Sequence, residues 1–526
     1  MSALSRREVL ARGAVLGGAA VGANALAACS SDDKSGTGDT TGEVLTAPAD
    51  QKRGGRLRVG MAGAGARDTV NPLAVPTGQA WSARTQALFG YIIQYDTKYE
   101  IQPRLAESVE PDGTGKAWTI RLKDGLEWHN GKTIGADDVI FTFETILDPK
   151  TAAPSAAQFS ALGIERMRKL DARTVRLELA APNALVRDTL TDHLVPVGFD
   201  PAKPVGSGPF KLKSFTPGQD STFVRFENYY DEPAFVDELE VVNFDDDSAR
   251  VNALLSNQVD AIAGVPYSQV QLIERSANHR PLIAKGGAWR PFVMRVDVKP
   301  FSDHRVREAI RLLADREQMV KQALNGYGQV GNDVPCIQDP NYDKDIPQRE
   351  HDPERARALL KQAGLENGEV TLITSPIQAG VLEASQILAE NAKAAGLTIK
   401  LNRIDQGVLY GERYKKWPFV VDYFPTRPWE GLVGIIELPG SPFNATHFED
   451  PEFTELYGRA SVELDDAKRR DLIHQMQAIQ HERGGYLIWG FADTVSAYSS
   501  KVTGFVSPDK RGEDLTNFEF ERVSFV

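Results

Sequence analysis

The stretch that most restricts the fold is residues 116–147, KAWTIRLKDGLEWHNGKTIGADDVIFTFETIL. Apolar and polar residues alternate over 118–122, and a period of two is typical of a half-buried strand. A second short strand is predicted over 126–128, where a turn at Asn130-Gly131 ends it. Over 139–147 the apolar residues recur every three or four positions, as in an amphipathic helix. The stretch therefore predicts a hairpin followed by a helix.

The same stretch contains glycines that imitate a phosphate-binding loop. Gly125 is followed by Gly131-Lys132-Thr133, so five residues separate the two glycines. A phosphate-binding loop has four residues there, because consecutive backbone N–H groups must curl around the phosphate. Two of the five residues are bulky and apolar at strand spacing, so a structural hairpin is favoured over a nucleotide site.

Composition restricts the class of protein. The chain has 526 residues, of which 41% are hydrophobic and 25% charged, which predicts a globular protein of two or three domains. The net charge is −12 and no basic run is present, so nucleic-acid binding is not expected. Of the two cysteines, Cys336 is predicted to be a small buried apolar group.

The N-terminal residues have the pattern of an export signal. A twin arginine in SRREVL precedes a Gly- and Ala-rich apolar run over 13–28, which is too short for a convincing membrane span. The run ends Leu-Ala-Ala-Cys29, which resembles the lipobox of bacterial lipoproteins. We therefore predict a signal peptide over 1–28, lipidation of Cys29, and a flexible polar tether over 29–54. The alternative is an ordinary signal peptide with a chance cysteine.

The remainder alternates strand and helix patterns, which predicts an α/β fold. The Pro/Gly-rich segment PVGSGPF at 204–210 predicts a crossover or hinge. One long helix is predicted from a cap at Ser302 or Asp303 to a stop at Gly326, and another begins at Asp352-Pro353. Further predictions are a helix capped by Ser248, a βαβ unit over 370–404, a helix over 465–483 and short C-terminal strands in TVSAYS and FEFERVSFV.

Four motifs in order carry a resemblance to a known family. They are PVGSGPF, FSDHRVREAIRLLADREQMVKQALNG, HDPERARALLKQAG and LPGSPFNATHFEDPEF, and the stretch LKDGLEWHNGKTIGADDVIFTF precedes them with the same resemblance. The chain resembles the family 5 extracellular solute-binding proteins, the oligopeptide-, dipeptide- and nickel-binding components of ABC importers. The resemblance implies a two-lobed fold of the type II periplasmic-binding-protein kind, with a small α+β domain inserted in the first lobe. A ligand would be enclosed when the lobes hinge together.

The resemblance also implies domain boundaries. The first lobe is expected to comprise 55–87, 199–285 and 492–526. The small extra domain is expected over 88–198, and the second lobe over 286–491.

In peptide-binding relatives, a strand leads into an Asp-Tyr pair whose carboxylate meets the α-ammonium group of the peptide. The matching region is FVVDYFPTRPWEGL, and the alignment that we favour puts Arg427 at the carboxylate position. A second alignment would use Asp422-Tyr423, which lies within an apolar strand. Arg427 has a planar cationic fork suited to carboxylate or phosphate, so it would favour an anionic ligand. A structural arginine paired with Glu430 is the alternative interpretation.

Other candidates for ligand contact come from neighbouring segments. They are Trp429, Asn444, His447, Trp289 and Arg290. Aromatic side chains in a cleft provide contact area and stack on planar groups. Core packing is the alternative interpretation for each tryptophan.

Motifs for catalysis or cofactor binding are not found in the sequence. There is no HExxH, no Cys–His metal spacing and no GxSxG elbow, so we expect neither an enzyme nor a cofactor. We expect a lipid-anchored monomer on the outer face of the cytoplasmic membrane, facing the periplasmic space. It would bind a peptide-like or other small ligand and deliver it to an ABC permease and its ATPase. The rival predictions are a surface sensory receptor of the same fold and, ranked below it, a hydrolase.

Overall fold

The computed structural model describes residues 51–63, 65–75, 78–96, 99–506 and 514–526. The predicted signal peptide, Cys29 and the predicted tether up to residue 50 lie outside these residues. Within the described part of the chain, no helix is both long and apolar enough to cross a membrane.

An eight-stranded mixed sheet forms the first lobe. Arg56–Ala62 lies near its centre and pairs in parallel with Glu238–Phe244 and with Ala261–Ile262. The other pairings are antiparallel. The remaining strands are Phe210–Thr216, Asp220–Arg225, His279–Trp289, Gly328–Val330 and Gly490–Ser499. The helices of this lobe are Gln79–Leu88, Asp247–Leu255 and Val270–Glu274.

A four-stranded antiparallel sheet forms the small domain. Its strands, in spatial order, are Ala106–Pro111, Ala117–Leu122, Thr174–Leu179 and Ile164–Lys169. The helices Ala136–Leu147, Ala156–Ala161 and Val186–Thr189 accompany it, and Ile93–Tyr95 pairs with Ile101–Pro103 beside it. Its buried side chains are continuous with the core of the first lobe, so these two parts share one hydrophobic core.

The stretch 116–147 forms a strand, a turn and a helix. The strand does not pair within this stretch, as the predicted hairpin requires, but with strands outside it. The strand and the helix are confirmed. The predicted second strand is wrong, because only an isolated bridge joins Glu127 to Thr133. Ala117–Leu122 instead pairs with Ala106–Pro111, which precedes it by a short turn, and with the distant strand Thr174–Leu179. Leu126 and Trp128 alternate because both are buried, which is the same pattern that a strand would produce.

PVGSGPF crosses the end of the helix Gln79–Leu88 at close range. A Cβ on Gly206 would lie 1.7 Å from the carbonyl oxygen of Leu88, and one on Gly208 would lie 2.5 Å from that of Ala87. The backbone N–H of Gly208 donates to the Leu88 carbonyl at 3.0 Å. The glycines are therefore needed for close backbone approach, which fastens the chain to the first lobe where it leaves the small domain.

A five-stranded sheet forms the second lobe. The strand order is Thr398–Arg403, Glu369–Thr374, Phe419–Val421, Phe292–Met294 and Tyr486–Leu487. The helices are His304–Leu312, Arg316–Ala323, Pro353–Gln362, Val381–Ala392, Gln406–Leu409, Trp429–Ile436, Pro451–Ala460 and Asp466–Arg483. The lobe has its own continuous core. The predicted βαβ unit is confirmed, since the first two strands are parallel with a helix between them.

Helix ends differ from the predictions at several caps. Asp303 caps its helix, but the predicted single helix is divided, because Asp315 caps a second one with a hydrogen bond from Gln318 N–H. Ser248 lies inside a helix that Asp246 caps. The predicted helix over 465–483 is confirmed with Asp465 as its cap. The sequence does not reveal Asp315 as the start of a second helix, because the apolar stripe continues on both sides of it.

The C-terminal segment is only partly extended. TVSAYS belongs to the long strand Gly490–Ser499, as predicted. FEFERVSFV forms 3-10 turns, and only Ser524–Phe525 pairs, with Val502–Thr503. Positive φ angles at residues 515–518 interrupt extended structure there. Alternating aromatic residues therefore predicted a strand where the backbone turns.

Candidate functional site

The two lobes are joined where two chain segments cross side by side. His279–Trp289 of the first sheet continues through Arg290-Pro291 into Phe292–Met294 of the second. Tyr486–Leu487 of the second sheet leads back into Gly490–Ser499 of the first. His279–Trp289 also pairs with Gly490–Ser499, so the two crossings are neighbours. Side chains at this junction therefore belong to the segments that connect the two lobes.

Arg290 is a buried cation at this junction. Its side chain belongs to a residue that is 8% exposed. Among the described residues, no atom accepts a hydrogen bond from its Nε or Nη1. The guanidinium carbon lies 5.9 Å from the ring centre of Tyr423. Burial lowers the pKa of Arg290 below its ordinary value, and the nearby phenols of Tyr267 and Tyr423 oppose that shift.

Two carboxylates that influence the pKa of Tyr267 have other partners. Asp493 lies 3.3 Å from Lys285 Nζ and accepts a hydrogen bond from Gly286 N–H at 3.2 Å. Asp514 accepts hydrogen bonds from Gln79, Gly264 and Ser496 at 2.7–3.1 Å. The described residues therefore include acids around the junction, but none makes an ion pair with Arg290 within 4.0 Å.

Tyr267 extends from the first lobe across the junction. Its ring packs against the core of the second lobe as well as against its own lobe. Its hydroxyl donates to the carbonyl of Asp493 at 2.8 Å, and its ring stacks on Tyr327 with the centres 5.5 Å apart. Burial raises the pKa of Tyr267, and the Arg290 charge opposes the rise. A phenol of one lobe and a guanidinium of the other therefore affect each other's pKa.

Arg427 is exposed, and among the described residues it makes no ion pair with Glu430. Burial raises the pKa values of Asp192 and Cys336, and the positive charge of Arg427 opposes both rises. Asp192 belongs to the small domain, so the charge of Arg427, a residue of the second lobe, affects the pKa of a carboxyl group in another domain. Glu430 lies 3.7 Å from Arg469. Within the described chain, Arg427 has no ion pair of its own.

The carboxylate of Asp422 accepts hydrogen bonds from neighbours within the second lobe. It accepts hydrogen bonds from the hydroxyls of Tyr410 at 3.0 Å and Tyr414 at 3.1 Å, and from Tyr423 N–H at 2.8 Å. Burial raises the pKa of Asp422 to about 6, while these hydrogen bonds oppose the rise. The residue is 2% exposed. Its carboxylate is therefore part of a buried network.

The other four site candidates have partners inside the second lobe. Trp289 is fully buried and stacks on Phe424 with the ring centres 4.6 Å apart. Trp429 is fully buried, and its indole N–H donates to Gln480 at 3.2 Å. Asn444 donates to three backbone carbonyls, and His447 Nε2 lies 2.7 Å from the carbonyl of Lys415. The structure thus places Arg290 buried at the junction, Arg427 on the surface, and the other four candidates among local partners.

A cavity of about 520 Å³ lies between the small domain and the second lobe. Its lining includes Asp188 from the small domain, and Asp339 and Glu430 from the second lobe. Tyr95 donates to Asp188 at 2.6 Å, and Trp429 N–H donates to Asp339 at 2.7 Å. Burial raises the pKa of Asp339 to about 6 and also raises those of Asp188 and Glu430.

Sequence reasoning missed Tyr267 and these three carboxylates. They come from four separated segments, and none has a spacing motif. The sequence signals are weak, because a tyrosine after Val-Pro and single acidic residues are both common. No group of three or more His, Cys, Asp or Glu suited to a metal occurs among the described residues.

Comparison with known proteins decides the family. The model of the bacterial extracellular solute-binding proteins, family 5 (middle region), matches residues 100–431, which is more than half of the chain. The chain belongs to family 5 of these solute-binding proteins. The dipeptide-binding protein of Escherichia coli K12 is 24% identical over 508 residues, covering 88% of this chain and 93% of that one.

Solved structures of similar proteins have the same architecture. CtaP, an ABC transporter substrate-binding protein from Listeria monocytogenes, superposes with a TM-score of 0.81 at 19% identity, covering 90% of this chain and 100% of that one. AgaA from A. tumefaciens R10, solved with agropinic acid, gives a TM-score of 0.73 at 26% identity, covering 90% and 99%. The family 5 chain therefore has the predicted two-lobed type II periplasmic-binding fold.

Proposed function

We propose that this protein is a lipid-anchored, extracytoplasmic solute-binding component of an ABC importer and not an enzyme. It captures a peptide-like or other small ligand between its lobes and delivers it to a permease driven by a separate ATPase. The observation that carries the proposal is the pair of neighbouring crossing segments that joins the lobes, together with the cavity of about 520 Å³ that the small domain and the second lobe both line. A ligand in that cavity would contact both of these parts of the protein.

The mechanism is a shift in population. Two neighbouring crossing segments permit the lobes to open and close as rigid bodies about residues 289–292 and 487–490. A ligand stabilises the closed arrangement only by the amount by which it binds that arrangement more tightly. The permease would then recognise the closed arrangement.

The names of the relatives support a small organic ligand. They are a dipeptide-binding protein, a glutathione-binding protein and a structure with agropinic acid. The proposed contacts of this chain are Arg290, which is buried at the junction, and Arg427, which is exposed. Trp289, Trp429, Asn444 and His447 remain proposed contributors, since they support the segments that carry these arginines.

Ligand capture and transport are tested together. The chain without residues 1–28 is purified and its native mass spectrum recorded before and after denaturation. We expect a discrete small adduct that denaturation removes. Deleting the gene should then abolish cellular uptake of a compound of that identity, and the wild-type gene should restore uptake. Binding with unchanged uptake in the deletion strain would identify a sensory receptor instead.

Replacing Cys29 with alanine is expected to release the protein from membranes. The thiol of Cys29 is the proposed lipid attachment point, so the variant has nothing to anchor it. The measurement is the distribution of full-length protein between membrane and soluble fractions of cells. Cys336→Ala is the matched control, because this buried thiol cannot carry a lipid and the variant should stay with the membrane. Membrane fractionation of Cys29→Ala like wild type would contradict the anchor.

A further inference from the structure

We propose that this protein has a second binding site, for a small alkylammonium ion, in a cavity between the first lobe and the small domain. The cavity has a volume of about 190 Å³, and its described lining residues all belong to these two parts of the chain. It shares no lining residue with the cavity of about 520 Å³ that the second lobe helps to form. The inference goes beyond the proposed function and does not depend on it.

The cavity lies within one continuous part of the protein. Residues of the helix Gln79–Leu88 of the first lobe form one wall, and residues 191–193 of the small domain form another. Asn517 and Phe518 of the C-terminal segment complete the lining. Because the first lobe and the small domain share one hydrophobic core, we expect the cavity to keep its shape when the second lobe moves.

Two acceptor atoms of neighbouring residues line this cavity without a hydrogen-bond partner. Among the described residues, no atom donates to Oδ2 of Asp192 or to Nδ1 of His193, and both atoms are buried. His193 is 6% exposed. Burial lowers the pKa of His193 to about 3, against a hydrogen bond to the backbone of Phe89, so the ring is neutral at pH 7. That hydrogen bond uses the single proton of the neutral ring, which leaves a lone pair on Nδ1.

Three polar side chains of the lining direct their protons at the backbone. The indole N–H of Trp81 and the hydroxyl of Thr85 each donate to a backbone carbonyl at 3.0 Å. The hydroxyl of Thr191 donates to another backbone carbonyl at 3.3 Å. These three groups therefore have no proton left for the two acceptors. A buried acceptor without a donor is unfavourable, so the cavity favours a molecule that brings its own N–H groups.

The charge of Asp192 favours a cation among such molecules. Burial raises the pKa of Asp192, and a hydrogen bond with Ser155 and the positive charge of Arg427 oppose the rise. Neither of them places a donor on Oδ2. An ammonium group would bring both a positive charge and up to three N–H donors to this carboxylate and to the ring nitrogen of His193.

The size and the walls of the cavity suit a short alkyl chain on that ammonium group. The volume is several times the roughly 30 Å³ that one water molecule takes up in the liquid. Trp81, Tyr91 and Phe518 contribute aromatic rings to the lining, and the ring of Tyr91 stacks on that of His193 with the centres 4.1 Å apart. Aromatic rings attract cations and provide apolar contact, so an organic cation is favoured over an inorganic one.

The test titrates the chain without residues 1–28 with propylammonium, at constant ionic strength, and measures affinity by ligand-observed NMR. The comparison probes are 1-propanol, which has no charge, propionate, which has the opposite charge, and tetramethylammonium, which has no N–H donor. Asp192→Asn removes the charge at nearly constant shape, and His193→Phe removes the lone pair. Asp124→Asn is the charge-matched control, because the side chain of Asp124 is 90% exposed and belongs to the same domain.

We expect wild type and Asp124→Asn to bind propylammonium saturably and to bind each comparison probe at least about tenfold more weakly. Asp192→Asn should weaken propylammonium binding about 10- to 100-fold, because a charge-assisted hydrogen bond is lost. His193→Phe should weaken it less, since the lost acceptor is neutral. Thermal melting of each variant separates loss of the site from unfolding, and the order of the probes on wild type requires no variant.

Four results would overturn the inference. The first three are no saturable binding of propylammonium by wild type, equal binding of propylammonium and 1-propanol, and wild-type affinity in a folded Asp192→Asn variant. The first of these would mean that water or Arg427 satisfies Asp192. The fourth is loss of binding in Asp339→Asn with wild-type affinity in Asp192→Asn, which would place the cation in the larger cavity, where Asp339 lies. Cellular uptake of the native adduct tests the proposed function separately.

Discussion

Replacing Asp333 with asparagine is expected to lower the free energy of unfolding by about 3–5 kcal/mol, because it removes one partner of a buried ion-pair network. Asp333 is 2% exposed and accepts hydrogen bonds from Arg316 at 2.9 and 2.8 Å and from Arg349 at 2.8 Å. Ile488 N–H also donates to it at 2.9 Å, and Arg311 lies 4.0 Å away. Asparagine would leave these guanidinium groups buried without their common anion.

Urea denaturation at neutral pH measures this effect. Asp303→Asn is the matched control, because the pKa values of Asp303 and Asp333 are both held at about 2, but Asp303 is partly exposed. Asparagine also preserves the helix cap of Asp303, so a loss below about 1 kcal/mol is expected there. Similar losses of unfolding free energy in the two variants would show that the buried network around Asp333 adds no more stability than a partly exposed ion pair.

The same carboxylate gives wild-type stability a pH dependence. Burial alone would raise the pKa of Asp333, but Arg316, Arg311 and Arg349 lower it to about 2. A carboxyl group whose pKa is lower in the folded state stabilises above its unfolded pKa, and the contribution is lost as pH falls through the folded value. The stability difference between wild type and Asp333→Asn should therefore shrink between about pH 4 and pH 2.

Glu437→Gln is expected to stabilise the protein by about 2–3 kcal/mol at pH 8 and to have little effect at pH 4.5. Glu437 is 1% exposed, and Gln480 donates a hydrogen bond to it at 2.8 Å. Burial raises its pKa to about 7, against the opposing effects of Gln480 and Arg311. A raised folded pKa means that the stabilising contribution is complete at low pH and lost as pH rises through 7. Glutamine keeps the acceptor and does not ionise.

Thermal or urea unfolding at several pH values between 4.5 and 8.5 measures this difference. Glu412→Gln, on the exposed surface, is the control and should show no such trend. Other buried acids titrate in the same range, including Asp422 and Asp339, whose pKa values are both raised to about 6 by burial. The contribution of Glu437 is therefore taken from the difference in unfolding free energy between Glu437→Gln and wild type at each pH. A difference independent of pH would show that Glu437 is not buried as a neutral acid.

Much of the fold could be predicted because local rules agree with the tertiary structure. Asp352 caps a helix with Pro353 at its first position, as the Asp-Pro-Glu order predicts. The βαβ unit follows from its apolar runs and the glycine between them. The predictions fail where one local sequence pattern is compatible with two backbone structures. Leu126 and Trp128 alternate because both are buried, and the apolar stripe over 306–324 continues through the break at Asp315.

The candidate site was harder to predict than the fold. Arg290 was among the candidates, but nothing in WRPF distinguishes an unpartnered guanidinium from a paired one. Arg311 and Arg316 are also buried, yet both lie beside Asp333, whereas Arg290 has no such partner in the described chain. Trp429 and Asn444 resemble cleft residues by position in the chain, but Gln480 and three carbonyls engage them.

By itself, the sequence determined the α/β class, most of the strands and helices, and, through four motifs in order, the family. These properties depend on side-chain periodicity, caps and turns, which act between residues a few positions apart. Only the tertiary structure decided which charges are compensated. Arg290 meets Tyr267 and Tyr423 from segments 23 and 133 positions away along the chain (290 − 267 and 423 − 290). Burial and pairing are properties of such contacts, and no spacing in the sequence encodes them.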